Sequence, residues 1–155
     1  MKCTIARTTL GIASFGLLLA CLPPAAHAVN CSTATVAGSW GFTLTGTLLL
    51  PTGPVPAAAV LRGVADTDGN LSGTEARSVG GGYADETFTG NWTVNADCTG
   101  SGTVSFYEAG QLVRISVIAL VFDDNSKEVR IVQKSLTLPD GTELPVVVTA
   151  EGRKI

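Results

Sequence analysis

The sequence predicts an all-β fold: an antiparallel meander of eight strands that closes into a barrel. Three observations predict it. From residue 37 onward, runs rich in Val, Ile, Thr and aromatics alternate with clusters of Gly, Asp, Asn and Pro, the pattern of strands and tight turns. The connections between runs are short, as hairpin-linked antiparallel neighbours allow. Beyond a short stretch at 32–36, no segment keeps the 3.6-residue apolar period of a helix. Closing such a meander on itself removes its two exposed hydrogen-bonding edges.

The elements follow in chain order. Lys2 and Arg7 precede an uncharged apolar stretch at 10–22, and Ala26-His27-Ala28 follows a Pro-Pro break. This reads as a secretory signal peptide over residues 1–28, leaving 29–155 as a single β-barrel domain, secreted or periplasmic. Leu18-Leu19-Ala20-Cys21 carries the alternative, a lipoprotein anchored at Cys21. The apolar stretch is too short to favour a membrane span. Beyond residue 28 the chain holds eight basic and thirteen acidic residues, a net charge of −5. A nucleic-acid partner wants a basic face, so none is expected.

Removing the leader also removes Cys3, Cys21 and His27, and leaves Cys31 and Cys98. In an oxidising compartment a lone cysteine pair reads as one disulfide. It would close a loop of about 67 residues, worth roughly 4 kcal/mol in the chain-entropy account. Two thiolates cannot complete a tetrahedral site, so no metal is expected. Residues 32–36 (STATV) read as a turn of helix before the first strand.

The strand runs are 39–50, 58–66, 70–79, 87–95, 102–107, 112–122, 127–138 and 143–150, with the longer connections at 51–57 and 80–86. On the first, Trp40, Phe42, Leu44, Gly46 and Leu48 fall on one side, and Thr43, Thr45 and Thr47 on the other. On the fourth, Phe88, Gly90, Trp92 and Val94 oppose Thr87, Thr89, Asn91 and Thr93. The sixth, LVRISVIALVF, is apolar on both faces after Ser116, so it should be covered on both. Its face of Val113, Ile115, Val117, Ala119 and Val121 makes a homo-oligomer through the sixth strand an expectation.

The stretch DTDGNLSGTE, 66–75, has the look of a calcium loop, but its spacing is wrong. Counted from Asp66, glycine falls at the fourth position and Arg77 at the twelfth, where a bidentate Glu is needed. Asp68-Gly69 reads instead as the centre of a type I′ hairpin, with both residues at positive φ. Residues 139–141 (PDG) and 123–126 (DDNS) read as turns.

Several of these motifs occur together in one other context. Cys31 precedes Gly38-Ser39-Trp40-Gly41-Phe42, the hairpin D-G-N-L-S-G-T follows at 68–74, and F-T-G-N-W-T-V-N-A-D-C-T-G spans 88–100. As a set they resemble a group of secreted bacterial proteins of unknown function. The layout resembles calycin-like and allene-oxide-cyclase-like barrels of eight strands, and Gly38-Ser39-Trp40 matches the lipocalin G-x-W. The resemblance implies a calycin-like barrel and supplies no catalytic residue.

Chemistry is constrained chiefly by what is missing. No histidine remains beyond residue 28, which removes Ser-His-Asp and Cys-His arrangements. Gly80-Gly81-Gly82 leads into YADETF rather than a helix, so it is no phosphate loop, and no cofactor is expected. Asp85-Glu86 and Asp123-Asp124 offer carboxylate pairs for glycoside-type chemistry, but adjacent acids in loops are usually solvated. The unusual residues are charges inside strands: Arg62, Glu75, Arg77, Arg114 and Arg130. Arg114 and Ser116 share a face with Leu112 and Ile118. Inside a barrel, Arg114 would meet a ligand carboxylate or enolate. Otherwise it points to solvent, or pairs with a carboxylate such as Glu75. The reading preferred is a barrel binding a small apolar ligand, with Arg114, Ser116, Trp40 and Trp92 as ligand-binding candidates. The alternatives are a cyclase- or isomerase-type enzyme, and a surface or matrix protein whose interior is filled by Trp40, Phe42, Phe88, Trp92, Phe106 and Phe122.

Overall fold

The computed structural model describes residues 31–123 and 125–155. The signal-peptide and Cys21 readings, and Asp124, lie outside the described residues. Ser32 starts a single helical turn, α1 (Thr33–Val36), through a capping box: its Oγ accepts from the Thr35 N–H, and the Thr35 hydroxyl accepts from the Ser32 N–H. The strands are β1 (Gly38–Leu50), β2 (Gly53–Ala65), β3 (Asn70–Val79), β4 (Gly82–Val94), β5 (Thr99–Glu108), β6 (Gln111–Asp123), β7 (Glu128–Thr137), β8 (Glu143–Leu144) and β9 (Val146–Lys154).

From β1 to β7 each strand pairs antiparallel with the next, and β9 pairs with both β7 and β1, so the ring is closed. The short β8 pairs in a ladder with β7 and is split from β9 by Pro145, which has no N–H to give a ladder. The Pro145 carbonyl still accepts from the Leu49 N–H at 2.8 Å. Eight staves therefore form the expected all-β meander barrel.

Four local expectations are corrected. The loop expected at 51–57 is a tight turn, with Leu50 opposite Gly53 and two prolines, Pro54 and Pro56, inside β2. β3 ends opposite Ala57, so residues 53–56 have β1 on one side only. The Pro56 carbonyl faces the β3 side, where Gly80 N–H donates to it, and its nitrogen faces the same way. Prolines there break no ladder bond. The loop expected at 80–86 is a two-residue hairpin of Gly80 and Gly81, at φ 56° and 89°, which only glycine adopts without strain.

The 66–70 hairpin is confirmed, but its centre lies one residue earlier than expected. The Gly69 N–H donates to the Asp66 carbonyl at 3.2 Å, so Thr67 and Asp68 are the central pair and only Gly69 has positive φ. Asp66 holds the turn, accepting from the Asp68 and Asn70 N–H groups at 2.9 and 2.8 Å. The fourth correction is on β6. Its register with β5 shifts at Phe106/Tyr107, and Val113 and Arg114 both reach the interior. Val113 therefore leaves the outward face assigned to it.

The core is densest at one end. Trp40, Trp92 and Phe122 meet edge-to-face, with ring centroids 5.4–6.0 Å apart. Val36 of α1 is fully buried with this cluster, and the Trp40 Nε1–H donates to the Val36 carbonyl at 3.0 Å. The expected Cys31–Cys98 disulfide is present, with Cα atoms 5.0 Å apart, and ties the start of α1 to the β4–β5 turn. Further along, the Phe88 ring lies over Gly63 and Gly73. A Cβ at either would come within 2.9 or 2.6 Å of Phe88 Cζ.

Candidate functional site

Past the aromatic end the barrel is hollow. Alternation on each strand sends every second side chain inward, and these line two adjoining cavities. The first, about 80 Å³, is almost wholly apolar and is bounded by Trp40, Phe42, Leu61, Leu71, Phe88, Trp92 and Ile118. The second, about 210 Å³, is bounded by Leu48, Ala59, Glu75, Arg77, Val113, Arg114 and Leu136. They share a wall of Leu44, Phe106, Ser116, Gln133 and Val148. Each exceeds the roughly 10–15 Å³ that one water needs.

The four candidate ligand-binding residues all face this interior. Trp40 and Trp92 form the floor of the apolar cavity, and the Trp92 Nε1–H is buried with no hydrogen-bond partner among the described residues. Ser116 is on the shared wall, where the Gln133 side-chain amide donates to its hydroxyl at 3.0 Å. Arg114 is on the wall of the larger cavity, its guanidinium carbon 3.8 Å from the Phe106 ring centroid.

Arg114 also pairs with Glu75, as one expectation had it, and it has a second partner that the sequence did not suggest. Its Nη2 bonds Glu75 and its Nη1 bonds Glu86, while Arg77 Nε bonds the other oxygen of Glu86. Glu75 and Glu86 are directly opposite on β3 and β4, and both are buried at 3% exposure. Burial, the largest influence on Glu75, raises its carboxyl above the usual range despite Arg114, and Glu86 adds to the rise. Burial also pushes Glu86 upward, but Arg77 and Arg114 together outweigh it and leave that carboxyl below the usual range.

The reading of Asp85-Glu86 as solvated loop acids is thus corrected for Glu86. Asp85 is exposed and accepts from the Tyr83 hydroxyl at 2.5 Å, while Glu86 points inward. The available signal was phase: Glu86 continues the Phe88–Gly90–Trp92 face by one step. Gln133 likewise continues the Val129–Ile131 face. Asp123 pairs with Arg130 at 2.8 Å near the β6–β7 turn. Arg62 and Arg130 are exposed and take no part in the interior. Among the described residues, no group of three or more His, Cys, Asp or Glu is placed to hold a metal ion.

The class these features define is an antiparallel eight-stranded β-barrel with an internal cavity and a buried ionic wall. No protein-family model matches the chain, and a search of curated proteins finds no match. Solved structures similar to it include EF1p2_mFAP2b bound to DFHBI, at TM-score 0.53 and 10% identity over 79% of this chain and 98% of that one. A redesigned β-barrel, mFAP1, bound to DFHBI, is similar at TM-score 0.49 and 16% identity over 79% of this chain and 97% of that one. At 10% identity the likeness to EF1p2_mFAP2b is one of fold.

Proposed function

We propose that this protein is a small-molecule-binding barrel that works outside the cytoplasm and takes a small, mostly apolar ligand into its cavity. The observation that carries the reading is an apolar cavity that ends on a few convergent polar groups, Arg114, Ser116 and Gln133. The disulfide supports an oxidising compartment, and the leader-like first 28 residues support export. EF1p2_mFAP2b, of like fold, holds DFHBI, which is in keeping with such a use of the interior. The filled-barrel reading is disfavoured, because Trp40, Trp92 and Phe122 pack one end, Phe88 and Phe106 pack further along, and cavity space remains beside them.

A cyclase- or isomerase-type enzyme is the second reading, favoured by one observation: a buried carboxyl and a guanidinium stand together on the cavity wall. We extend the binding proposal to self-association through the outer face of β6, where Ile115, Val117, Ala119 and the exposed Val121 lie near the exposed Val132 of β7.

Native mass spectrometry of protein purified from its secreting host tests the main reading. The expected result is an added small-molecule mass that denaturation releases. A bare chain that also fails to take up an apolar fluorophore would overturn it.

A further inference from the structure

The larger cavity has one charged wall, and that wall is formally neutral. Glu75 and Arg77 come from β3, Glu86 from β4 and Arg114 from β6. Glu108 of β5 reaches only Arg77, at 3.8 Å, and its side chain is half exposed. The other strands offer this cavity uncharged side chains alone, such as Leu44 of β1, Ala59 of β2, Gln133 of β7 and Val148 of β9.

The two buried carboxylates differ in their partners. Glu86 is gripped by both guanidiniums and does not line the cavity, whereas Glu75 does and, among the described residues, has Arg114 as its one ionic partner. An anionic head entering here would set a third negative charge against two guanidiniums, away from water. Such an uncompensated charge is expensive to bury. Neutrality returns if one carboxylate takes a proton, and the singly held Glu75 gives up the least. Its carboxyl is already raised by burial, while that of Glu86 is lowered by its two arginines.

We propose that the ligand of this cavity is an amphipathic monocarboxylate whose head replaces Glu75 on Arg114 while Glu75 takes up one proton from solvent. The inference rests on the reading of the cavity as a ligand site and names the chemical class of that ligand. The contact between Arg114 Nη2 and Glu75 breaks, a contact between Nη2 and the ligand carboxylate forms, and an O–H bond forms on Glu75. Nη1 stays on Glu86, and nothing but the proton is consumed. The ligand's apolar tail lies toward Phe88 and the two tryptophans. Because a proton is taken up, affinity weakens as pH rises, by up to about tenfold per pH unit between the Glu75 pKa of the free barrel and that of the loaded one.

Isothermal titration of the disulfide-bonded protein with decanoate, decanesulfonate and decanol, in two buffers of different protonation heat, tests this between about pH 6 and about pH 8, where free carboxylates are ionised. Decanoate and decanesulfonate should each bind with uptake of close to one proton, and decanol with none. Glu75→Gln should keep decanoate binding and lose both the uptake and the pH dependence. The sulfonate, which stays ionised, gives the same answer in the unmodified protein if Glu75→Gln does not fold. Uptake with decanoate but not with decanesulfonate would put the proton on the ligand and overturn the inference. Equal, pH-independent binding of decanoate and decanol would overturn it too, while leaving the cavity a ligand site. No binding of any probe would overturn both readings.

Discussion

Glu75 and Glu86 face each other across β3 and β4, a like-charge pair that by itself weakens a sheet. The two arginines turn that liability into a network, and they do so unequally. Glu86 binds both, so neutralising it leaves two partly buried guanidiniums with weaker support, Arg114 with Glu75 alone and Arg77 with the more distant Glu108. Glu86→Gln should cost about 3 kcal/mol, at the low end for breaking a buried pair. Glu75→Gln should cost about 1 kcal/mol, that of an ordinary hydrogen bond. Urea unfolding at neutral pH checks the order, and a larger loss for Glu75→Gln would refute it. The two acids also slope oppositely with pH. Glu86, lowered in the fold, contributes stability above its unfolded pKa that is lost as pH falls through the folded one. Glu75, raised in the fold, contributes most in acid, and that contribution is lost as pH rises through the folded value. For Arg114 the sequence left an inward and a solvent-facing reading open, and the phase it shares with Ser116 and Ile118 was the signal for the inward one. Glu86 was not, because Asp85 beside it and three glycines before it imitate a loop.

At the scale of elements, turn chemistry decides the hairpins, and it is more local than a dipeptide rule. Asp66, not Asp68, accepts the backbone donors of its turn, and the Asn70 side chain gives it a third bond at 2.7 Å. Those bonds, led by that of the Asn70 side chain, hold the Asp66 carboxyl below the usual range, so what they contribute is lost as pH falls through that lowered value. Asp66→Ala should therefore lower the melting temperature more than Asp68→Ala. Neither melting temperature should respond to calcium or chelator; a calcium-dependent rise in the unmodified protein alone would restore the ion-loop reading. Strand existence was legible throughout, because alternation and turn residues agree on nearly every stave. Three features were not. Pro54 and Pro56 read as a breaker because one sequence cannot show that β2 outruns β3. The polar end of β9 reads as a tail, yet Lys154 pairs opposite Trp40. The β6 bulge changes which residues face inward, and no periodicity announces it.

The whole molecule is asymmetric along its axis, which gives the cavity a fixed floor. At one end the disulfide, α1 and the Trp40–Trp92–Phe122 cluster seal the barrel; at the other the interior reaches the ionic wall. Fastening residues 67 apart in sequence contributes about 4 kcal/mol in the chain-entropy account, so the sealed end should be the last to open. On the outside of the same barrel, closing the sheet leaves only short edges, at 53–56 and on β8, so faces are the main surface left for partners. On β6, Val117 lies opposite Thr103 on one side and Ser135 on the other, with Val121 and Val132 each 49% exposed nearby. Burying about 400 Å² of such a face yields roughly 10 kcal/mol at 25 cal/mol/Å². Lost translational and rotational freedom takes back about 4–15 kcal/mol, so any association should depend on concentration. Lysine at position 117 would sit between two small polar neighbours and extend to solvent in a lone barrel, but would bury its charge in a paired one. Val117→Lys should therefore leave the fold and cavity intact and lower the mass measured by light scattering. The decisive control is the unmodified protein: a monomer at high concentration would mean that this face serves no contact between copies.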